Sequence, residues 1–271
     1  MAVGDILSSF NSPGPVPVDL AWDGANLWNG DFTLNDIFEL TTTGTILSSF
    51  NTPSSQPTGL TWDGTNLWHA DQVVDDIFEL TTTGTILSSF NSPGSVPRGL
   101  TYDGTNLWHE DSSVHDILEL TITGTILSSF NTPGIQQLGL TWDGANLWHA
   151  DFGIDDIFEL TITGTILSSF NSPDVDSRGL TWDGINLWNS DIAVDKIFEL
   201  LLISIKTFTI DAILQQTTTK TFTIDARLIN RRTKTFSMDA LLFVETAFTN
   251  PSIKAIAYVR RTTARMGSDR Q

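Results

Sequence analysis

Three histidines, His69, His109 and His149, stand forty residues apart in the string N-L-W-H, and asparagine fills the same place at Asn29 and Asn189. Three imidazoles converging on one ion would make a zinc site, with each nitrogen about 2 Å from the metal. The spacing is equally satisfied by histidines that each serve their own copy of a repeated structure, and that reading is preferred. Two positions further on, a carboxylate recurs without exception: Asp31, Asp71, Asp111, Asp151 and Asp191. Five carboxylates around one axis could hold Ca²⁺ together with carbonyl oxygens. An aspartate at a strand end more often accepts N–H bonds from the turn that follows, so no cofactor is expected, Ca²⁺ has no further support, and the metal question stays open. Glu39, Glu79, Glu119, Glu159 and Glu199 also recur in every copy, which fits a shared structural hydrogen bond better than five copies of one catalytic acid. Glu110 beside His109 is a weak acid–base signal. No Ser-His-Asp arrangement, phosphate-binding loop or dinucleotide motif stands out. The absence of cysteine excludes thiol nucleophiles, disulfides and Cys-ligated metals.

These residues are positioned by a forty-residue repeat. Residues 1–200 divide in frame into five blocks, and 41–80 matches 121–160 at 31 of 40 positions. Each block holds four short runs with β propensity, separated by turn chemistry, and none has a 3.6-residue apolar period. In the second complete unit the runs are Gly59–Trp62, Asn66–Ala70, Ile77–Leu80 and Thr85–Phe90, with Asp63-Gly64 making the first turn. Four antiparallel strands at this period make a propeller blade. The fifth block lacks a fourth strand after Leu200, while Gly4–Phe10 is an orphan copy of that strand at the other end of the chain. Pairing the two closes the ring and leaves no unpaired inner edge. The expected fold is all-β: a five-bladed propeller of four-stranded blades over residues 1–202, closed by its N-terminal strand. An open array that closes on a second chain is the alternative.

The pattern G-L-T-W-D-G-x-N-L-W-x-A-D-x-x-x-D-x-I-x-E-L resembles the NHL-type and related bacterial propeller repeats across residues 1–200. That resemblance implies the fold and says little of activity, since such propellers include ligand sensors, lyases, lactonases and interaction modules.

Residues 203–245 carry a different period. KTFTIDAIL, KTFTIDARL and KTFSMDALL recur every 14 residues from Lys206, Lys220 and Lys234. Alternation places Phe208 and Ile210, Phe222 and Ile224, and Phe236 and Met238 on one strand face, a strip suited to assembly or docking. These Thr-rich strands loosely resemble repeats of viral and phage structural proteins. Residues 246–271 form a basic end. Charge divides the same way: residues 1–200 hold 27 acidic and three basic residues, whereas 201–271 hold 11 basic and five acidic ones. So acidic a body disfavours nucleic acid as a partner of the propeller. No apolar run approaches the length of a membrane span, and the start shows no basic, then apolar, signal segment.

The nine tryptophans occupy two repeated positions, which argues for packing between blades over sugar-stacking platforms. Differences among copies collect after F-N-x-P and between the second and third strands, two loops that leave an antiparallel blade on the same side. That face carries Phe32, Phe152, Arg98, Arg178, His69, Asp71, His109, Asp111, His149 and Asp151. The expected function is a non-catalytic recognition module for a glycan or protein surface: an adhesin, a lectin-like protein or a virion or tail surface component, extracellular or on a virion, oligomeric through 203–271. Blades so alike argue against an enzyme; the rival is a propeller enzyme of lactonase or lyase type.

Overall fold

The computed structural model describes residues 2–134 and 136–202, together with the backbone of four strands further on. The first strand is β1 (Ile6–Asn11). Blade one is β2 (Pro17–Trp22), β3 (Leu27–Asp31), β4 (Asp36–Leu40) and β5 (Ile46–Asn51). Blade two is β6 (Pro57–Trp62), β7 (Leu67–Asp71), β8 (Asp76–Leu80) and β9 (Ile86–Asn91). Blade three is β10 (Pro97–Tyr102), β11 (Leu107–Asp111), β12 (Asp116–Leu120) and β13 (Ile126–Asn131). Blade four is β14 (Gln137–Trp142), β15 (Leu147–Asp151), β16 (Asp156–Leu160) and β17 (Ile166–Asn171). Blade five is β18 (Ser177–Trp182), β19 (Leu187–Asp191) and β20 (Lys196–Leu200), and β1 supplies its outer strand. The five four-stranded sheets form a five-bladed propeller, as the repeat arithmetic anticipates.

Closure copies the chemistry of the other blades. In blade one, Asn26 Nδ2 donates to Glu39 Oε1 and Ser48 Oγ to Glu39 Oε2, each at 2.8 Å. In blade five, Asn186 donates to Glu199 Oε1, and Ser8 of the N-terminal strand donates to Glu199 Oε2 at 2.9 Å. Phe10 meets Trp188 with ring centroids 6.2 Å apart, as Phe50 meets Trp28. The two ends of the propeller are tied by Gly4 N to Leu201 O and Leu201 N to Asp5 O.

The core is five clusters between neighbouring blades. Between blades one and two, Trp28 and Ile37 pack on Leu60, Leu67, Phe78 and Leu80, and the same set recurs around the ring to Trp188 and Ile197 on Leu20, Leu27 and Leu40. Both faces of each inner sheet are therefore covered, which is why the strands read as near-continuous apolar runs. The second-strand tryptophans are buried, and each indole N–H is satisfied within its own blade, as Trp28 Nε1 donates to Asp23 Oδ2 at 2.9 Å. These rings pack between blades and are not open to a sugar.

A second unit spans Thr207–Gln271. In it β21 (Thr207–Ile213) pairs antiparallel with β22 (Thr219–Asp225), placing Phe208 opposite Ile224 and Ile210 opposite Phe222. β23 (Thr235–Met238) pairs with β24 (Thr262–Arg265). The expected burial of Phe208, Ile210, Phe222, Ile224, Phe236 and Met238 concerns side chains outside the described ones. The rest of the basic end, including Arg260, Arg261 and Arg270, lies outside the described residues.

Candidate functional site

The two groups of variable loops do share one end of the disc. Val16 N donates to Asp31 Oδ2 at 2.9 Å, and Thr52 N donates to Asn35 O at 2.8 Å, so the loop before each first strand rests on second-to-third-strand turns. The recurrent aspartates build those turns. Asp31 Oδ1 accepts from Thr33 N and Leu34 N, and Asp71, Asp111, Asp151 and Asp191 act alike toward their own turns. The turn ends in a left-handed residue, Asn35, Asp75, His115, Asp155 or Asp195, with φ between 51° and 57°. Among residues with a side chain, Asn, Asp and His adopt that conformation most readily, which explains the narrow choice at the end of an otherwise free loop.

The near-invariant turns at the other end are held by interlocking side chains. Asp23 Oδ1 accepts from Ala25 N and Asn26 N, its Oδ2 takes the Trp28 indole, and Asn26 reaches Glu39, which takes Ser48. Each blade repeats this network, so those turns stay fixed for structural reasons. Contrast between a constant and a variable end is therefore no sign of recognition by itself.

The structure also corrects which residues the variable end presents. His69, Asp71, His109, Asp111, His149 and Asp151 are all at most 1% exposed, so none is displayed on the surface. The first strand of each blade is irregular near its third residue, for instance between Pro57 and Gly59. Carbonyls freed there are taken up by the His/Asn position: His69 Nδ1 lies 3.2 Å from Gly59 O, Asn29 Nδ2 donates to Asp19 O and Asn189 Nδ2 to Gly179 O. The three histidines therefore do not converge on one point: His69 turns to its own first strand, whereas His149 turns to blade three. Among the described residues no three of His, Asp and Glu are arranged to hold a metal ion.

Near the axis two carboxyls break the fivefold pattern. Asp19 stands where the other blades have Gly59, Gly99, Gly139 and Gly179. Those glycines let first strands approach closely: a Cβ at Gly139 would overlap the Arg178 carbonyl oxygen, and one at Gly59 the Arg98 carbonyl oxygen. Asp19 instead reaches both neighbours, accepting from Leu60 N of blade two at 2.8 Å, from Leu180 N of blade five at 3.3 Å and from its own Leu20 N at 2.9 Å. Burial pushes its carboxyl well above the usual range, the three N–H bonds pull it back, and Glu110 adds repulsion.

Glu110 replaces Gly30, Ala70, Ala150 and Ser190 of the other blades. It is fully buried, and its Oε1 contacts His149 Nδ1 of blade four, while Glu110 Oε2 and His149 Nε2 have no partner. Burial raises this carboxyl, and the His149 contact opposes the rise. The sequence points to His109 as the partner of Glu110; the fold brings His149 instead, because Glu110 faces the neighbouring blade. His109 donates to or accepts from Ser92 Oγ at 3.0 Å, and burial lowers it to about 4 against the pull of Asp111. Asp19 was overlooked by motif reasoning, yet it is legible as the exception in a glycine column.

Two arginines sit above this layer. Arg98 and Arg178 occupy one blade position, filled elsewhere by Val18, Thr58 and Leu138. Arg98 donates from Nη1 to Gln72 Oε1 at 3.0 Å and from Nε to Ser112 Oγ at 3.3 Å. Arg178 lies over the Phe152 ring, 5.2 Å from its centroid, with Asp176 Oδ1 3.5 Å from Nη2. Burial first, then the charge of Arg178, lowers the proton affinity of Arg98. Phe32 is half-buried in blade one's turn and joins none of these contacts.

One titration test follows from this layer. Asp191 is raised to about 6, chiefly by burial, and its Oδ2 has no partner. A carboxyl raised on folding contributes stability that is complete below its unfolded value and is lost as pH rises through the folded one. Asp191→Asn keeps the oxygen that caps the turn. Its melting temperature relative to the parent should climb between about pH 4 and pH 6 and level off above. A difference independent of pH would show that Asp191 is not raised.

No family model matches the chain, and no curated protein sequence matches it. Solved structures share the fold. The glutaminyl cyclase of Myxococcus xanthus matches with a TM-score of 0.64 at 12% identity, covering 74% of this chain and 98% of that one. A virginiamycin B lyase from Staphylococcus aureus matches at 0.46 with 24% identity, over 72% of this chain and 69% of that one. BamB from Moraxella catarrhalis matches at 0.41 with 11% identity, over 74% and 98%. The chain is a five-bladed β-propeller by fold. The expectation that it is not an enzyme is corrected at this point, because the glutaminyl cyclase shows that such a propeller can carry catalysis. Likeness among blades does not exclude it either: the exceptional buried carboxyls Asp19 and Glu110 are few in sequence, and Glu110 acts electrostatically on Asp19.

Proposed function

We propose that the propeller is a recognition module that takes a glycan or protein surface bearing acidic groups at its variable end. The observation that carries this reading is the pair Arg98 and Arg178, two of only three basic residues in residues 1–200, at one blade position of the variable end, with Phe152 beneath Arg178. Loops on a rigid scaffold vary without cost to the fold, so they can carry specificity. Adhesin, lectin-like and virion or tail surface roles all use such a module.

The test is a glycan and protein-surface binding screen on the full chain and two variants. Giving residues 132–136 and 152–154 the sequences of 52–56 and 72–74 should weaken binding by about tenfold or more. Ile162→Thr, at the opposite end, should leave binding unchanged. Binding indifferent to the loop exchange would defeat the reading.

Glu110 and His149 favour a second reading, an acid–base catalyst of lactonase or lyase type. A buried carboxyl that touches an imidazole, and that burial pushes above the usual carboxylate range, is suited to moving a proton. Turnover of a lactone and ester panel that disappears in Glu110→Gln would establish it, and saturable binding without turnover would defeat it.

A further inference from the structure

We propose that the groove between blades one and two, at the end of the disc opposite the variable loops, binds an amino sugar. The site is separate from the variable end, and the inference does not rest on the recognition reading. The groove has a volume of about 390 Å³ and is lined by Asp23, Glu39, Ser48, Ser49, Thr82 and Thr83, with half-buried Phe50 beside them. That volume lies at the lower end of ordinary small-molecule sites, about 300–1,000 Å³, and admits a sugar ring. Its shape comes from the repeat. The turn ending at Gly84 of blade two sits over the outer strand of blade one, so closely that a Cβ at Gly84 would overlap the Phe50 ring. Thr82 and Thr83 of that turn thereby face the carboxylates of blade one across the groove.

The amine is indicated by charge. No basic residue lines the groove, and among the described residues neither Asp23 nor Glu39 forms an ion pair. A carboxylate offers about four acceptor positions. Glu39 uses two of them, for Asn26 Nδ2 and Ser48 Oγ, and Asp23 three, for Ala25 N, Asn26 N and Trp28 Nε1. An ammonium group donates into the open positions and brings the missing counter-charge. The field of a body with 27 acidic and three basic residues draws such a cation in. The hydroxyl-bearing ring is indicated by Ser49 and Thr82, which stand outside the bonds that fix the turns and can each donate and accept. The repeat also supplies internal controls. Blade five has the same set, Glu199, Ser8 and Ser9 with Thr42 on the next turn, whereas Ile122 and Ile162 replace that threonine over blades two and three. Both isoleucines are exposed, so exchange at this position costs the fold little.

The probe is D-glucosamine, with glucose, N-acetylglucosamine and ethylammonium as comparisons, titrated into the full chain. Glucosamine should bind at least about tenfold tighter than each of the three, and more weakly as salt rises. Thr42→Ile with Thr82→Ile should lose that preference, and so should Glu39→Gln with Glu199→Gln. Glu79→Gln with Glu119→Gln, the same change beneath the isoleucines, should keep it. In the parent, the indole N–H resonances of Trp28 and Trp188, which donate to Asp23 and Asp183, should shift on adding glucosamine, while those of Trp68 and Trp108 stay in place. That measurement reads the site even if a variant folds poorly. Glucosamine bound no tighter than glucose or ethylammonium would overturn the proposal, as would a preference that survives the paired threonine substitutions. Equal loss in both glutamate pairs would show a structural effect only and overturn it too. Glucosamine selectivity that follows the loop exchange at the variable end would move the site away from the groove, whereas failure at the groove leaves the recognition reading standing.

Discussion

Removing residues 1–11 should lower the melting temperature by about 10 °C or more and raise the mass measured by light scattering. The deleted strand carries the β1–β20 ladder, in which Ser9 stands opposite Phe198, Phe10 opposite Ile197 and Asn11 opposite Lys196. Glu199 loses Ser8 and Trp188 loses Phe10. An aromatic side chain withdrawn from such packing costs roughly 2–4 kcal/mol, and ladder bonds add to that. The exposed β20 edge would also accept the same strand from another copy, because ILSSFN is identical in β1, β5, β9, β13 and β17. Phe10→Ala should reproduce part of the thermal loss without exposing the edge, and so without the change in mass. A truncated chain with unchanged mass and melting curve would show that the ring does not depend on its N-terminal strand.

Asp19→Ala should destabilise the propeller by roughly 2–5 kcal/mol, because it leaves buried N–H groups of three blades without an acceptor. Leu60 N and Leu180 N come from the blades on either side, so the damage is to the packing of first strands around the axis. Asp19→Gly is the sharper variant, since it makes blade one match the other four. If the aspartate were drift, Asp19→Gly would be neutral or stabilising; a loss similar to that of Asp19→Ala is expected instead. Asp19→Asn, which keeps one acceptor oxygen, should recover part of the loss. Chemical denaturation of the three variants decides the matter. A change within about 0.5 kcal/mol for Asp19→Ala, the range of an ordinary surface substitution, would sink the claim.

Blade number, strand order and ring closure were all readable from residues 1–200, and the reason is local. A forty-residue period with D-G turns, alternating runs and one displaced copy of ILSSF admits few arrangements that bury every apolar face. The roles of Asp31 and Glu39 were readable for the same reason, since a residue present in every copy serves what every copy has: a turn to cap, or a strand pair to join. The exceptions to the repeat stand out in their columns, but what they touch was not readable. Glu110 and His149 lie 39 residues apart and meet only because second strands of adjacent blades face each other. His69, His109 and His149 share a sequence position, yet the first meets its own first strand, the second Ser92 in the loop between blades two and three, and the third crosses to the preceding blade. Whether an identical residue looks inward or across depends on the side chain the preceding blade offers: Gly30 before His69, Ala70 before His109 and Glu110 before His149. Sequence alone determined the ring, because repetition encodes it five times over. Tertiary structure alone decided the axial chemistry, because each contact there is made once, between strands brought together only when the ring closes.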